Sequence, residues 1–239
     1  MSTTENSLNE YFDAQLPHLK KNYAWKIPKL AGFEQSNESG YFANVALKQH
    51  LHEQYLKVNF EKRFNLANFV IVEWGGVRGN KPETIKKYVK RLETENPVID
   101  LNGVASYSKL FSIFDPKKYA IYDARVAACL NAIQLNAGIE QGLAFNYIPG
   151  RNNIVGNGIK RIGFTQESRF KRSALVKKGW KSLARANTYQ TYLDVLKHCL
   201  VNFPKYQLFD LEMVLFANAE IECSKAMGAS YIKPEATTC

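Results

Sequence analysis

The sequence predicts a mainly α fold, a helical bundle large enough that it could form two helical lobes around a cleft. Three observations carry this: apolar residues recur at helical spacing along much of the chain, strand-like alternation is rare, and glycine or proline separates the periodic stretches. Tyr41 to Leu56 has Phe42, Val45, Ala46, Leu51 and Tyr55 in a drifting helical pattern. Phe60 to Trp74 is richer in apolar residues and reads as a nearly buried helix stopped by Gly75-Gly76. Pro82 to Glu95 is a basic amphipathic helix with proline in its first turn. Val98 to Phe114 breaks at Asn102-Gly103 and stops before Pro116. Asp123 to Leu135 is a helix with an aspartate at its N-cap. Gly138 to Ser173 reads as irregular, with room for a short strand or two. Thr188 to Val201 and Leu208 to Glu220 are helices separated by Pro204, and the tail after Gly228 reads as loose. No repeat and no composition shift divides residues 1–239, so the chain is read as one unit.

The charge narrows the class of partner. The net charge is +10, with a pI of about 9.3, which favours an anionic partner. The excess is concentrated in 151–185: Arg151, Lys160, Arg161, Arg169, Lys171, Arg172, Lys177, Lys178, Lys181 and Arg185 stand against Glu167 alone. Phe164, Phe170 and Trp180 are interleaved, a composition that suits phosphate neutralisation and base stacking, or else a merely solvated basic face. No run approaches the ~18 apolar residues of a membrane span, and the polar, acidic start is unlike a signal peptide, so no membrane contact and a cytoplasmic location are expected. Cys129, Cys199, Cys223 and Cys239 are too dispersed for a disulfide framework or a local zinc site and read as reduced structural thiols. His50 and His52 face different sides of a helix, and His18 and His198 are remote, so no metal and no cofactor are expected.

One stretch carries chemistry. In Asp100-Leu-Asn-Gly-Val-Ala-Ser-Tyr-Ser-Lys-Leu-Phe111, Gly103 allows a sharp turn, and the amides of Val104 and Ala105 open a helix where a phosphate oxygen can bind. Ser106 and Ser108 could add hydroxyl contacts. A plain structural turn is the competing reading. In Phe114-Asp-Pro-Lys-Lys-Tyr-Ala-Ile-Tyr-Asp-Ala-Arg-Val-Ala-Ala-Cys-Leu130, a loop leads through Ile121 to Asp123, which opens a helix carrying Val126 and Leu130.

Hairpin, helix, loop, aspartate and helix in that order resemble the helix-hairpin-helix DNA glycosylase superfamily, closest to bacterial proteins with an 8-oxoguanine DNA glycosylase fold. Val72-Glu-Trp-Gly-Gly-Val77, Tyr147-Ile-Pro-Gly-Arg-Asn152 and Asp210-Leu-Glu-Met-Val-Leu-Phe216 fit the same pattern, spreading it over roughly residues 40–220. The resemblance implies a helix-hairpin-helix DNA glycosylase fold, with hairpin and catalytic helix in 98–136. It implies a monomer that binds double-stranded DNA, flips out a base and hydrolyses its N-glycosidic bond. Asp123 would stabilise the oxocarbenium-like sugar, with one carboxylate oxygen free to cap its helix. The substrate would be a damaged base such as 8-oxoguanine, in repair, or a hypermodified phage pyrimidine such as glucosylated hydroxymethylcytosine, in antiviral defence.

Two departures matter. Ala105 stands where the family has a second glycine. Tyr107 occupies the position of the family's nucleophilic lysine, and Lys109, about 200° further round the helix, is expected to face away. Without that lysine, the expectation is a monofunctional enzyme that leaves an abasic site. Contacts to DNA are expected from Gly103, Val104, Ala105, Ser106, Ser108, Arg151, Arg169, Lys171 and Arg172. Trp74, Tyr107, Tyr122 and Asn152 are the candidates for the base pocket, against a core role for each aromatic. Asp210 and Glu212 suit either the dipole of the last helix or catalysis. A non-catalytic helix-hairpin-helix DNA-binding protein is the alternative reading.

Overall fold

The structure, a computed structural model, describes residues 2–156 and 162–228. Lys160, Arg161, Cys239 and the tail after Gly228, all read from the sequence above, lie outside the described residues. The described chain is mainly helical. Helix α1 (Thr3–Gln15) runs through a 3-10 turn into the short α2 (Leu19–Asn22). It was not expected from the sequence, although Ser2-Thr-Thr-Glu5 is a capping box: Ser2 Oγ accepts from the Glu5 amide and the Glu5 carboxylate accepts from the Ser2 amide. Leu8, Phe12 and Leu16 then bury one face of the helix.

Helices α3 (Tyr41–Lys57), α4 (Phe60–Asn68), α5 (Pro82–Leu92) and α6 (Val104–Phe114) pack on one another. The expected helix from Phe60 to Trp74 changes character halfway. After α4 the backbone widens into a π-helix over Phe69–Trp74, closed by Gly75 N donating to Val70 O at 3.0 Å. The run is only half-buried, since Ala67, Val70, Ile71 and Trp74 face inward while much of α4 faces solvent.

The second group is α1, α2, α7 (Ala124–Asn136), α9 (Arg185–Leu200) and α10 (Leu208–Ala226). Helix α7 is its axis. Ala127, Ala128 and Ala132 on α7 and Ala219 on α10 are buried small residues, which let the two backbones approach closely. Between α7 and α9, the irregular stretch contains the short α8 (Arg172–Lys177) and a two-residue parallel strand pair, β1 (Leu143–Ala144) with β2 (Lys181–Ser182). One continuous core crosses both groups, with Ile71, Ile85 and Leu110 from the first joined to Leu130, Leu193 and Leu215 from the second. Cys129, Cys199 and Cys223 are free, buried thiols, and burial pushes the Cys199 thiol up to about 12.

The turn before α6 depends on glycine. Gly103 has φ +72°, and a β-carbon there would stand 1.9 Å from Tyr88 Oη. G103A is therefore expected to destabilise the fold by about 1–3 kcal/mol from backbone strain, with a further loss as Tyr88 is displaced. Chemical denaturation measures this, and a stability equal to wild type would show that the turn tolerates a side chain.

Candidate active site

The two helical groups meet around a small cavity of about 40 Å³, lined by Tyr23, Trp25, Trp74, Gly75, Lys109, Ile121, Asp123, Glu212 and Phe216. Its walls come from five places in the chain: the strand-like exit from α2, the end of the π-helix, α6, the loop before α7, and α10. A second apolar cluster, with Ile27, Leu47, Leu51, Val70 and Ile113, backs it.

Asp123 reaches the cavity because the chain before it is held on both sides. Tyr189 Oη donates to Ala120 O at 2.8 Å, Tyr192 Oη donates to Ile121 O at 2.9 Å, and Ser108 Oγ accepts from the Tyr122 amide at 3.1 Å. These bonds satisfy the buried backbone of Ala120–Tyr122 with side chains of α6 and α9. Asp123 then divides its carboxylate. Oδ1 accepts from the amides of Arg125 (3.0 Å) and Val126 (3.1 Å), capping α7, while Oδ2 lies 3.7 Å from Lys109 Nζ. The capping oxygen and the oxygen beside Lys109 are thus different ones, an arrangement the sequence reading allowed.

Lys109 is the largest correction to that reading. It faces into the cavity at 7% side-chain exposure, with Nζ donating to Ala105 O at 2.7 Å. The stem lies across Gly75, where a β-carbon would stand 2.4 Å from Lys109 Cδ. Tyr107, on the opposite side of α6, is the residue that faces away. It is fully buried among Tyr88, Phe111 and Tyr189 and donates to Asp100 O. Tyr122 is also enclosed in the core, donating to Asn146 O at 2.7 Å. Neither tyrosine lines the cavity.

Trp74 does line it, opposite Trp25. The two indoles are locked together: Trp25 Nε1 donates to Trp74 O, Trp74 Nε1 donates to Asn44 Oδ1, and Asn44 Nδ2 donates to Trp25 O. Asn44 on α3 thereby sets both rings. Phe216 stands edge-on to Trp25 at 5.3 Å. Glu212 is 2% exposed and accepts from Lys48 Nζ at 2.9 Å. Burial pushes its carboxyl above the usual range, against the pull of Lys48. Asp210 instead belongs to the cap of α10, bonded to the Gln207 amide and to Tyr41 Oη. Tyr23, Trp25, Lys109 and Phe216 were not identified as site residues from the sequence.

The cavity opens into a wider cleft of about 400 Å³ that carries Arg78, Arg125 and Arg151 together with Ala105 and the Gly75–Gly79 loop. Arg151 is exposed there. Asn152 lines the cleft but not the inner cavity, and its amide is spent on Glu220 and on the amides of Ile154 and Val155. Beyond the Tyr147–Gly150 segment, a groove of about 410 Å³ is lined partly by Lys171 and Arg172. Arg172 is half-tethered, donating to Ser182 Oγ and Leu183 O, and Arg169 pairs with Glu167 and Met227 O. Of the hairpin residues, the side chains of Val104, Ser106 and Ser108 point inward. Ser106 Oγ accepts from Asn80 Nδ2 and Ser108 Oγ from Tyr122, so neither hydroxyl is presented to a phosphate.

Among the described residues, no group of three His, Cys, Asp or Glu is placed to hold a metal ion, and no helix is long and apolar enough to cross a membrane. Comparison with models of protein families, with curated proteins and with solved structures finds no match for this chain.

Proposed function

We propose that this chain is a DNA glycosylase with an associated lyase step, using Lys109 and Asp123 on a base flipped into the aromatic cavity. The observation that supports it most is the 3.7 Å approach of Lys109 Nζ to Asp123 Oδ2 inside a cavity walled by Trp25, Trp74 and Phe216. An amine beside a carboxylate is a nucleophile with a proton acceptor. Aromatic walls suit a base removed from its stack. The cationic cleft outside suits the strand from which the base comes. The reason for expecting simple hydrolysis, an absent lysine, no longer holds, because an amine reaches the site from two residues further along α6.

The chemistry follows from the positions. Lys109 passes a proton to Asp123 Oδ2, and its freed amine attacks C1′ as the bond from C1′ to the base nitrogen breaks with its electron pair leaving on the base. The proton on Asp123 goes to the departing base, which restores a carboxylate facing the cationic aminated sugar. A proton then moves from the nitrogen to O4′ as the ring opens, giving a protonated Schiff base. Loss of a C2′ proton to the Asp123 carboxylate allows the 3′ phosphate to leave, and water releases Lys109. The substrate class is a damaged base such as 8-oxoguanine or a hypermodified pyrimidine such as glucosylated hydroxymethylcytosine, in a double-stranded DNA partner.

The test has two arms. The protein is incubated with DNAs carrying damaged bases and with phage DNAs carrying modified ones, and released bases are identified by mass spectrometry. In parallel, an abasic duplex is treated with borohydride to trap any Schiff base. Release of a base together with a trapped covalent complex is expected. DNA binding with neither would leave a non-catalytic helix-hairpin-helix DNA-binding protein.

Gly75 supplies a variant that acts chiefly through the position of Lys109. The β-carbon of G75A would press on Lys109 Cδ and Cε, whose flexible stem can yield, and would also stand 2.8 Å from the backbone oxygen of Val70, which the π turn must shift to accommodate. Displacing the amine by an ångström is expected to lower base release on the order of 10²-fold, with a stability loss of about 1–3 kcal/mol. Rates near wild type would show that Lys109 can reach its target from a shifted position.

A further inference from the structure

The reaction proposed above has no use for Lys48, yet this lysine is 5% exposed, on α3, behind the cavity wall. Its ammonium is 2.9 Å from Glu212 Oε2 and stands over the rings of Trp74 (5.9 Å) and Phe209 (5.3 Å). Burying two charges is costly, and an apolar pair of similar volume holds helices together at least as well. Helix α10 is already fixed at its start by the Tyr41–Asp210 bond and its cap. The ion pair therefore calls for a reason other than packing.

That reason is legible in what a carboxyl group can offer. Ionised, it only accepts hydrogen bonds; protonated, it also donates one. Glu212 lines the cavity and is fully buried, a setting that favours the protonated form. The charged or titratable groups facing it are Lys48 from α3, Lys109 from α6, Asp123 ahead of α7, Tyr23 after α2, and Tyr189 and Tyr192 from α9. Of these, Lys48 is the one bonded to it.

We propose that Lys48 is a positioning residue that holds Glu212 as an acceptor-only carboxylate on the cavity wall, so that the site selects bases presenting N–H donors to it. The proposal rests on the glycosylase reading and specifies its substrate: an exocyclic amino group or a protonated ring nitrogen faces Glu212, and bases offering only acceptors on that edge are rejected.

The experiment measures base release and borohydride trapping on an abasic duplex for each variant, from neutral to mildly alkaline pH. Trapping needs the amine but no base, so the ratio of release to trapping isolates base recognition. In K48M, Glu212 loses its counter-charge and takes up a proton, and the ratio is expected to fall at least about 10-fold at neutral pH. It should recover as pH rises and Glu212 ionises. K48R, which keeps the charge, should stay near wild type. E212Q should show a low ratio at every pH. If K48M does not fold, E212Q and the double variant K48M/E212Q, with no unpaired buried charge, carry the test. A K48M ratio that runs parallel to wild type across pH would overturn the proposal, as would an E212Q ratio equal to wild type. A wild-type protein that traps no abasic duplex would instead remove the glycosylase reading itself.

Discussion

K109Q is expected to lose the borohydride-trapped complex entirely and to release base at a rate lower by about 10³ to 10⁶, the scale on which removing a nucleophile acts. Lys109 Nζ is the amine that both lines the cavity and lies within 3.7 Å of Asp123 Oδ2. Lys171, Lys177, Lys178 and Lys181 cannot substitute for it: each is exposed and none lines the cavity. Glutamine keeps a polar group against Ala105 O and leaves the cap of α7 on Asp123 Oδ1 in place, so the fold should survive. DNA affinity should fall little, because Arg78, Arg125 and Arg151 still line the cleft. Titration against a labelled abasic duplex provides that control. Persistent trapping by K109Q would place the nucleophile elsewhere.

D123N is expected to lower base release by about 10²- to 10⁴-fold, the usual contribution of a positioned acid or base, with thermal stability nearly unchanged. Asparagine caps a helix about as well as aspartate, so Oδ1 can go on accepting from Arg125 and Val126. What disappears is the negative charge on Oδ2 facing Lys109 and the sugar. D123A removes both functions and should cost about 1 kcal/mol of stability in addition. Release assays and thermal denaturation on the pair separate the roles. If D123N is active and D123A merely unstable, the residue is a cap and nothing more.

Much of this architecture is legible in the sequence because it depends on local signals. The periodicity of Tyr41–Lys57 and Leu208–Ala226, Pro82 at the start of α5 and Asp123 at the start of α7 each act within a few residues. That the cap would use one Asp123 oxygen and leave the other clear of it could be anticipated for the same reason. The position of Lys109 could not. Helical geometry correctly separates it from Tyr107, but which side of α6 meets Asp123 is decided by the route of the loop from Asp115 to Tyr122. That loop is held by Tyr189 and Tyr192, nearly 70 residues downstream. Trp25 was hidden in the same way: it stands in no motif, and its partner Trp74 is far away in the chain. Glu212 stands in the Asp210–Phe216 motif, but its pairing with Lys48, on a helix 164 residues upstream, is not legible there. The expectation that Tyr107 and Tyr122 line the pocket failed because each ring finds its hydrogen bond inside the core.

The π-helix at Phe69–Trp74 has a further consequence. A π turn is an α-helix that contains one residue too many, and each residue advances a helix by about 100°. The excess sets the angular phase at which Trp74 and Gly75 arrive, one as a cavity wall and the other as the bed for the Lys109 stem. That phase is carried by the number of residues between Asn59 and Gly75 rather than by their identities. Drift in composition along this segment can leave the site intact, whereas a change of length by a single residue turns the wall away from the cavity. Outside the buried Ala67, Val70, Ile71 and Trp74, the segment is thus tolerant to substitution yet brittle to insertion or deletion, the reverse of an ordinary surface loop.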